Sequence, residues 1–345
     1  MFTEFVALDA HKRYSLLERE KIADFTTSQK RIEHVKGNIS AALQGITPGT
    51  PVALESVGNW YWMVDEIERA GLTPRLVHPR KAKLMMGMIN KTDKLDVHGL
   101  NLLQRNGTLP TVWIAPGSLR DIRELTRGRM VLVVQRTKLK NRVHAIFAKY
   151  GVSLDEWSDA FGVNAQIAMK ELIGTLPEHA AFMIKMLLPN IESLNQQIEQ
   201  LEKRLQSVLK ETPAMRLLQT LPSFGKILSA VVILEIGDIH RFASAPRLAS
   251  YSGTTPTVKS SGGKTRFGSL RPDVNRYLKW AFMEAANLVS LHQRHFPQRH
   301  VTLLYQRIRA RKGHPKAIGA VARHLAEATF YVLSKQQPYQ DPVLK

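Results

Sequence analysis

The stretch PTVKSSGGKTRFGSL, residues 256–270, sets two hydroxyls, Ser260 and Ser261, beside two glycines and ahead of Lys264 and Arg266. Such a segment can treat a phosphate in one of two ways. It can cradle the group with backbone N–H groups and cations, or attack it with a serine oxygen. Gly263-Lys264-Thr265 matches the tail of a P-loop, but that motif needs another glycine five positions before Gly263 to turn its N–H groups toward the phosphates. Val258 holds that place, so P-loop nucleotide binding is excluded. Glycines without side chains let a backbone approach a phosphodiester closely. On the residues alone, phosphate binding and nucleophilic attack both stay open.

A second set is acidic. Asp9 lies near the end of EFVALDA, Glu55 closes VALE, and Asp93 and Asp96 lie in KTDKLDVHGL, where i,i+3 spacing puts both carboxylates on one helix face. Carboxylates converging at strand ends in a basic chain repel one another and any nucleic acid unless a divalent cation lies between them. Mg²⁺ takes carboxylate and water oxygens, and can activate a water or stabilise a leaving oxygen at phosphorus. The competing reading is four ordinary surface acids or helix caps. His292, His295 and His300 crowd HQRHFPQRH, but neither carboxylate nor cysteine completes a metal set there. Trp60 and Trp62, just after Glu55, suit core packing better than base stacking.

The elements that position these residues fall into two kinds. EFVALDA, KIADFTTS, PVALES and TPRLVHP read as strands, with NWYWMVDEIERAG as a helix closed by Gly71. That is an α/β layer over residues 1–115, with acids at strand ends. From Ser118 a basic helical stretch, one helix or two in series, fills 116–180. Over 181–212, Ile184, Leu187, Ile191, Leu194, Ile198, Leu201, Leu205 and Val208 form a heptad seam. Pro189 removes a helical hydrogen bond inside it, so the coiled coil is expected to begin near Pro189 and the seam to pair with another copy. Residues 213–345 are mainly helical. LLQTLPSFGKILSAVVILEIG has the outline of a helix-hairpin-helix, with Ser223 where such hairpins carry their first glycine and Gly225 keeping the second.

Composition narrows the partner. The chain has 345 residues and a formal net charge of +20, from 49 Lys and Arg against 29 Asp and Glu, which points to nucleic acid. No apolar run approaches the roughly 20 residues that span a bilayer, and the longest, ILSAVVILEIG, carries Glu235. MFTEFVALDA lacks a basic leader ahead of an apolar core, so no secretion signal is expected there. With no cysteine, disulfides, thiolate zinc sites and cysteine nucleophiles are excluded.

Together these residues resemble the transposases of the insertion-sequence-110 type and the related Piv-type DNA invertases. ALD, LES and KTDKLD resemble the family's DEDD motif, on a RuvC-like, ribonuclease-H-type fold. RTKLKNRVHAIFAKYG resembles its basic helix, and residues 235–286 its C-terminal transposase domain. The resemblance implies that Asp9, Glu55, Asp93 and Asp96 are catalytic and bind Mg²⁺, and that Ser261 is a nucleophile forming a 5′-phosphoserine link. It implies nucleic-acid contacts from Lys264, Arg266, Arg271, Arg276, Arg136, Lys140 and Arg142. It further implies a structured bridge RNA that pairs with donor and target DNA, dimers joining as tetramers, and a bacterial or archaeal cytoplasmic setting at the nucleoid. Two other readings of the residues stand beside it. One is a metal-dependent nuclease of the Holliday-junction-resolving type, whose serine segment only binds phosphate. The other is a non-catalytic nucleic-acid-binding protein with structural acids.

Overall fold

The computed structural model describes residues 2–87, 92–154, 156–157 and 159–342. The chain divides into two compact units, Met1–Ile114 and Ala115–Lys345.

The first unit is built on a five-stranded sheet of order β3-β2-β1-β4-β5. Its strands are β1 (Glu4–Ala10), β2 (Tyr14–Lys21), β3 (Thr27–Glu33), β4 (Pro51–Glu55) and β5 (Thr73–Val77). β1, β2 and β3 pair antiparallel, while β4 pairs parallel with both β1 and β5. This mixed order fits the ribonuclease-H-like expectation. Val6, Leu8, Val52 and Leu54 bury one face against α1 (Asn38–Ala42) and α2 (Trp60–Arg69). Ala7, Ala53 and Val77 bury the other against α3 (Pro79–Met86) and α4 (Asp93–Arg105). The alternation of faces along each strand follows from its two-residue period.

One expected strand is wrong. KIADFTTS runs from the last residue of β2 through a turn at residues 22–26 into the start of β3, the turn being closed by Lys21 N–H donating to the Thr26 carbonyl at 3.0 Å. The strand lies earlier, in YSLLEREK, where Glu18 and Glu20 are buried and disguise it. Their charges are met inside the fold. Glu18 accepts from Gln29 at 2.7 Å and from Asn101 and His98 at 3.1 Å, and Glu20 pairs with Arg105.

The second unit is helical apart from one hairpin. α5 (Gly117–Lys149) is a single helix, and α7 (Glu178–Val208) runs unbroken through Pro189. That corrects the expected break. Pro189 is exposed, and Asn190 Nδ2 donates to the Met186 carbonyl at 3.1 Å beside it. The heptad seam has a partner within the chain. Ile184, Ile191, Ile198 and Leu205 are buried, and α7 packs along α5. Arg129 meets Glu202 at 2.6 Å and Arg136 donates to Asn195 at 3.0 Å, a descending register that makes the pair antiparallel. α6 (Val163–Gly174) bridges one end of that pair. α8 (Pro213–Leu218) and α9 (Lys226–Ile236) follow, joined by a turn in which Ser223 adopts φ 65°, a left-handed conformation usual for glycine. α10 (Ala245–Tyr251), α11 (Arg276–Leu291), α12 (His300–Lys312) and α13 (His314–Lys335) complete a core around Phe282, Tyr305 and Leu325. Among the described residues, no helix is long and apolar enough to cross a membrane.

Candidate active site

β1 delivers Asp9 to its C-terminal end, and the adjoining turn delivers His11. The parallel register Leu8↔Leu54 carries on one step to set Asp9 beside Glu55, the last residue of β4. By the same alternation both acids share the sheet face that α4 covers. Asp93 opens α4 after Thr92, whose hydroxyl caps the helix by accepting from Leu95 N–H at 3.3 Å. Asp93 and Asp96 in that first turn also suit the positive end of the helix dipole. Thus all four predicted acids gather around one strand edge and one helix start, although only two meet closely.

Asp9, His11 and Asp93 bring one ligand atom each within 4.8 Å of one another. His11 Nε2 lies 3.4 Å from Asp9 Oδ2 and 3.0 Å from Asp93 Oδ2. Tyr14, the first residue of β2, donates its hydroxyl to Asp93 Oδ2 at 2.9 Å, and that bond holds its phenol above the ordinary range. Glu55 and half-buried Asp96 stand outside the close group. Two carboxylates and an imidazole on separate segments form a donor set that fits a divalent metal ion. Sequence reasoning missed His11 and Tyr14. The signal for His11 was its position two residues beyond Asp9.

The serine segment is a β-hairpin rather than a loop. β6 (Pro256–Ser261) and β7 (Lys264–Leu270) pair antiparallel around Gly262 and Gly263, whose φ values of 55° and 75° are what a two-residue turn of this kind needs. The register is Val258↔Phe267, Lys259↔Arg266, Ser260↔Thr265 and Ser261↔Lys264. Residues opposite one another share a face, as do residues two apart. Ser261 therefore stands on one face with Lys259, Lys264 and Arg266. Ser260 stands on the other with Thr265, Val258 and Phe267, its hydroxyl 3.3 Å from Thr265 Oγ1.

The base of the hairpin is pinned. A side chain at Gly253 would place its Cβ 2.4 Å from Val274, so the chain entering the hairpin lies directly against the chain leaving it. Asn275 N–H donates to the Tyr251 carbonyl at 3.0 Å, and Asn275 Nδ2 donates to Glu235 Oε2 at 2.8 Å. Glu235 is the charge inside the apolar run noted above, and it is fully buried. Arg127 of α5 meets it with both ends of its guanidinium, at 2.8 and 3.0 Å. A buried carboxylate is tolerable only with such partners.

The other predicted contacts are distributed unevenly. Lys264 and Arg266 are exposed on the hairpin, and Arg276 and Arg142 are exposed on their helices. Arg271 pairs with Asp273 at 3.5 Å, Lys140 lies 3.8 Å from Asp159, and Arg136 is half-buried on Asn195. His292 and His295 share a ring contact, but among the described residues neither joins a metal-binding group.

Carboxylates at the ends of the adjacent inner strands β1 and β4, in a chain of net charge +20, suit an enzyme that acts on DNA. Residues 6–151 match the DEDD transposase profile of the IS110 type, and residues 215–301 match the Transposase IS116/IS110/IS902 family. The chain belongs to that transposase family. It is 24% identical over 250 residues to a "Probable family 20 transposase" of Pseudomonas aeruginosa, covering 70% of this chain and 72% of the relative. It is 23% identical over 241 residues to the transposase for insertion sequence element IS1328 of Yersinia enterocolitica, covering 70% and 71%. It is 28% identical over 155 residues to the pilin gene-inverting protein of Moraxella bovis, covering 44% and 47%.

Proposed function

We propose that this transposase cuts and rejoins DNA through a covalent link to Ser261. The observation that carries the reading is the division of the hairpin: Ser261 shares its face with Lys259, Lys264 and Arg266, whereas the Ser260 hydroxyl is turned toward Thr265. Cations held in advance around a transferring phosphoryl group are the usual means of stabilising its charge. In the step, the Ser261 Oγ–phosphorus bond forms as the phosphorus–O3′ bond breaks. The serine proton is lost, and the 3′ oxygen leaves as a hydroxyl. The phosphoserine ester conserves the phosphodiester, so reversal by another 3′ hydroxyl reseals DNA without ATP.

Asp9 and Asp93, with Glu55 and Asp96 beside them, would hold Mg²⁺, and His11 is a further donor at the same edge. When bound, the ion supplies positive charge against a phosphate oxygen. The reading extends to a structured bridge RNA that pairs with donor and target DNA, and to homodimers joining as homotetramers in which the acids of one copy complement the serine of another. It also includes a bacterial or archaeal cytoplasmic setting at the nucleoid. Its support is the +20 charge, the family resemblance, and a relative named for gene inversion.

The test is to incubate the protein with RNA that copurifies with it, donor DNA, target DNA and Mg²⁺, then denature it and map DNA-linked peptides by mass spectrometry. Ser261→Ala should lose the adduct and Ser260→Ala keep it. The reverse pattern moves the nucleophile by one residue. Strand cleavage with no adduct replaces the recombinase with a metal-dependent nuclease.

A further inference from the structure

The face of the hairpin that carries Ser260 has no assigned role. Val258 and Phe267 lie opposite each other there, 56% and 71% exposed, and neither belongs to a buried core. One step toward the turn lies the Ser260–Thr265 hydroxyl pair. The face thus offers a flat aromatic ring and a branched aliphatic side chain next to two hydroxyls that can donate or accept. A nucleobase has the matching form, a flat apolar face and a polar edge.

We propose that Phe267, flanked by Val258, stacks on a nucleobase of the DNA whose phosphate the opposite face engages. This rests on the reading of the hairpin as the phosphate-handling element. Two observations select the base over a protein. The ribbon is a single layer whose other face carries Lys259, Lys264 and Arg266, so whatever polymer sits there is a polyanion. An aromatic side chain contributes about 150–250 Å², and Val258 adds less, so the patch falls far short of the roughly 1,200 Å² of a stable protein interface. One base is the right size. Apolar side chains presented to bases in this way act as wedges that hold a base step open. Ser260 and Thr265 then lie where hydroxyls can read the edge of the displaced base. Phe267 is accordingly a positioning residue: it fixes which nucleotide stands next to the phosphate presented to Ser261.

The probe is an oligodeoxynucleotide carrying 2-aminopurine, used as a single strand and as a duplex with a central unpaired bubble, titrated with the full chain. Wild-type protein should quench the 2-aminopurine emission. Phe267→Ala should abolish the quench and weaken binding between roughly five- and a hundred-fold, the range for one lost base–aromatic stack. Its salt dependence should stay unchanged, because no phosphate contact is removed. Phe267→Trp should restore the quench, whereas Phe267→Leu, which keeps apolar bulk without the ring, should behave like Phe267→Ala. Wild-type affinity and quench in Phe267→Leu would reduce the residue to packing against Val258 and overturn the proposal. So would a fall in molecular mass of Phe267→Ala by light scattering, which would assign the patch to a protein neighbour. Ser261→Ala should keep the full quench. A quench without any covalent adduct from wild type would sink the nucleophile alone, and an adduct with no quench would sink the base stack alone.

Discussion

Asp9 is 5% exposed at the end of a strand buried on both faces, whereas Ser261 lies in a ribbon exposed throughout residues 258–269. The acidic group is assembled by distant parts of the chain, β1, the turn after it, β2 and the start of α4. Its members are held by packing on both sides and by one another. The hairpin takes its form from a local turn, and it is attached at its base. The first arrangement suits a site whose geometry must stay fixed while charge builds. The second suits a side chain that must reach a polymer too large to enter a pocket. The two units therefore solve different problems, precision in one and access in the other.

The sharpest way to break this contrast is to remove a charge from the packed site. Asp9→Asn keeps size and hydrogen-bonding shape, so strand transfer should fall by two to three orders of magnitude or more, roughly the loss when one preorganised electrostatic group is removed. The circular dichroism melt should be unchanged. Wild-type transfer in Asp9→Asn would remove this residue from the chemistry.

Stability should respond most at the hairpin's anchor. Glu235→Ala leaves Arg127 beside a buried gap and should cost about 3–5 kcal/mol, the usual penalty for a buried charge that loses its partner. Denaturant unfolding of the full chain would report it. The same loss should not occur on the exposed face of the ribbon. There, Lys259→Gln with Arg266→Gln should leave the melt untouched and lower the log–log salt slope of DNA binding by about 0.9 for each phosphate contact removed. An unchanged slope would separate the cationic face from the backbone of DNA.

The smallest effect concerns the turn. Gly262→Asn keeps a residue that tolerates positive φ and lowers the freedom of the unfolded chain. Transfer activity should hold near wild type, with hairpin amide exchange slowed slightly. Gly262→Val, which resists that conformation, should speed exchange through the hairpin alone.

The strands that could be read in the sequence were those with apolar runs, such as EFVALDA and PVALE, because burial on both faces leaves few polar residues to confuse the pattern. YSLLEREK escaped because Glu18 and Glu20 are buried against Asn101, His98 and Arg105, partners some eighty residues away that no local window contains. The heptad period correctly marked an apolar stripe on α7, but periodicity is blind to whether the partner is α5 or another copy. Asp9 and Asp93, which the fold brings together, were legible as candidates from their position at element ends. Their closeness to His11 was not, since it depends on where α4 returns to the sheet. The two serines were indistinguishable until pairing assigned them to faces.

That pairing also constrains how the hairpin can change over evolutionary time. The turn is two glycines long, and side chains alternate in register from Val258 to Phe267, below which the pairing toward Pro256 is irregular. Because the turn holds Ser261 opposite Lys264, a single residue gained between Val258 and Lys259 would leave both hydroxyls on their faces and move Val258 from beside Phe267 to the face that carries Lys264 and Arg266. A change of two residues would restore the arrangement while lengthening the reach. Lineages descended from this hairpin are therefore expected to vary in its length by even steps, since an odd step sets an apolar side chain among the cations.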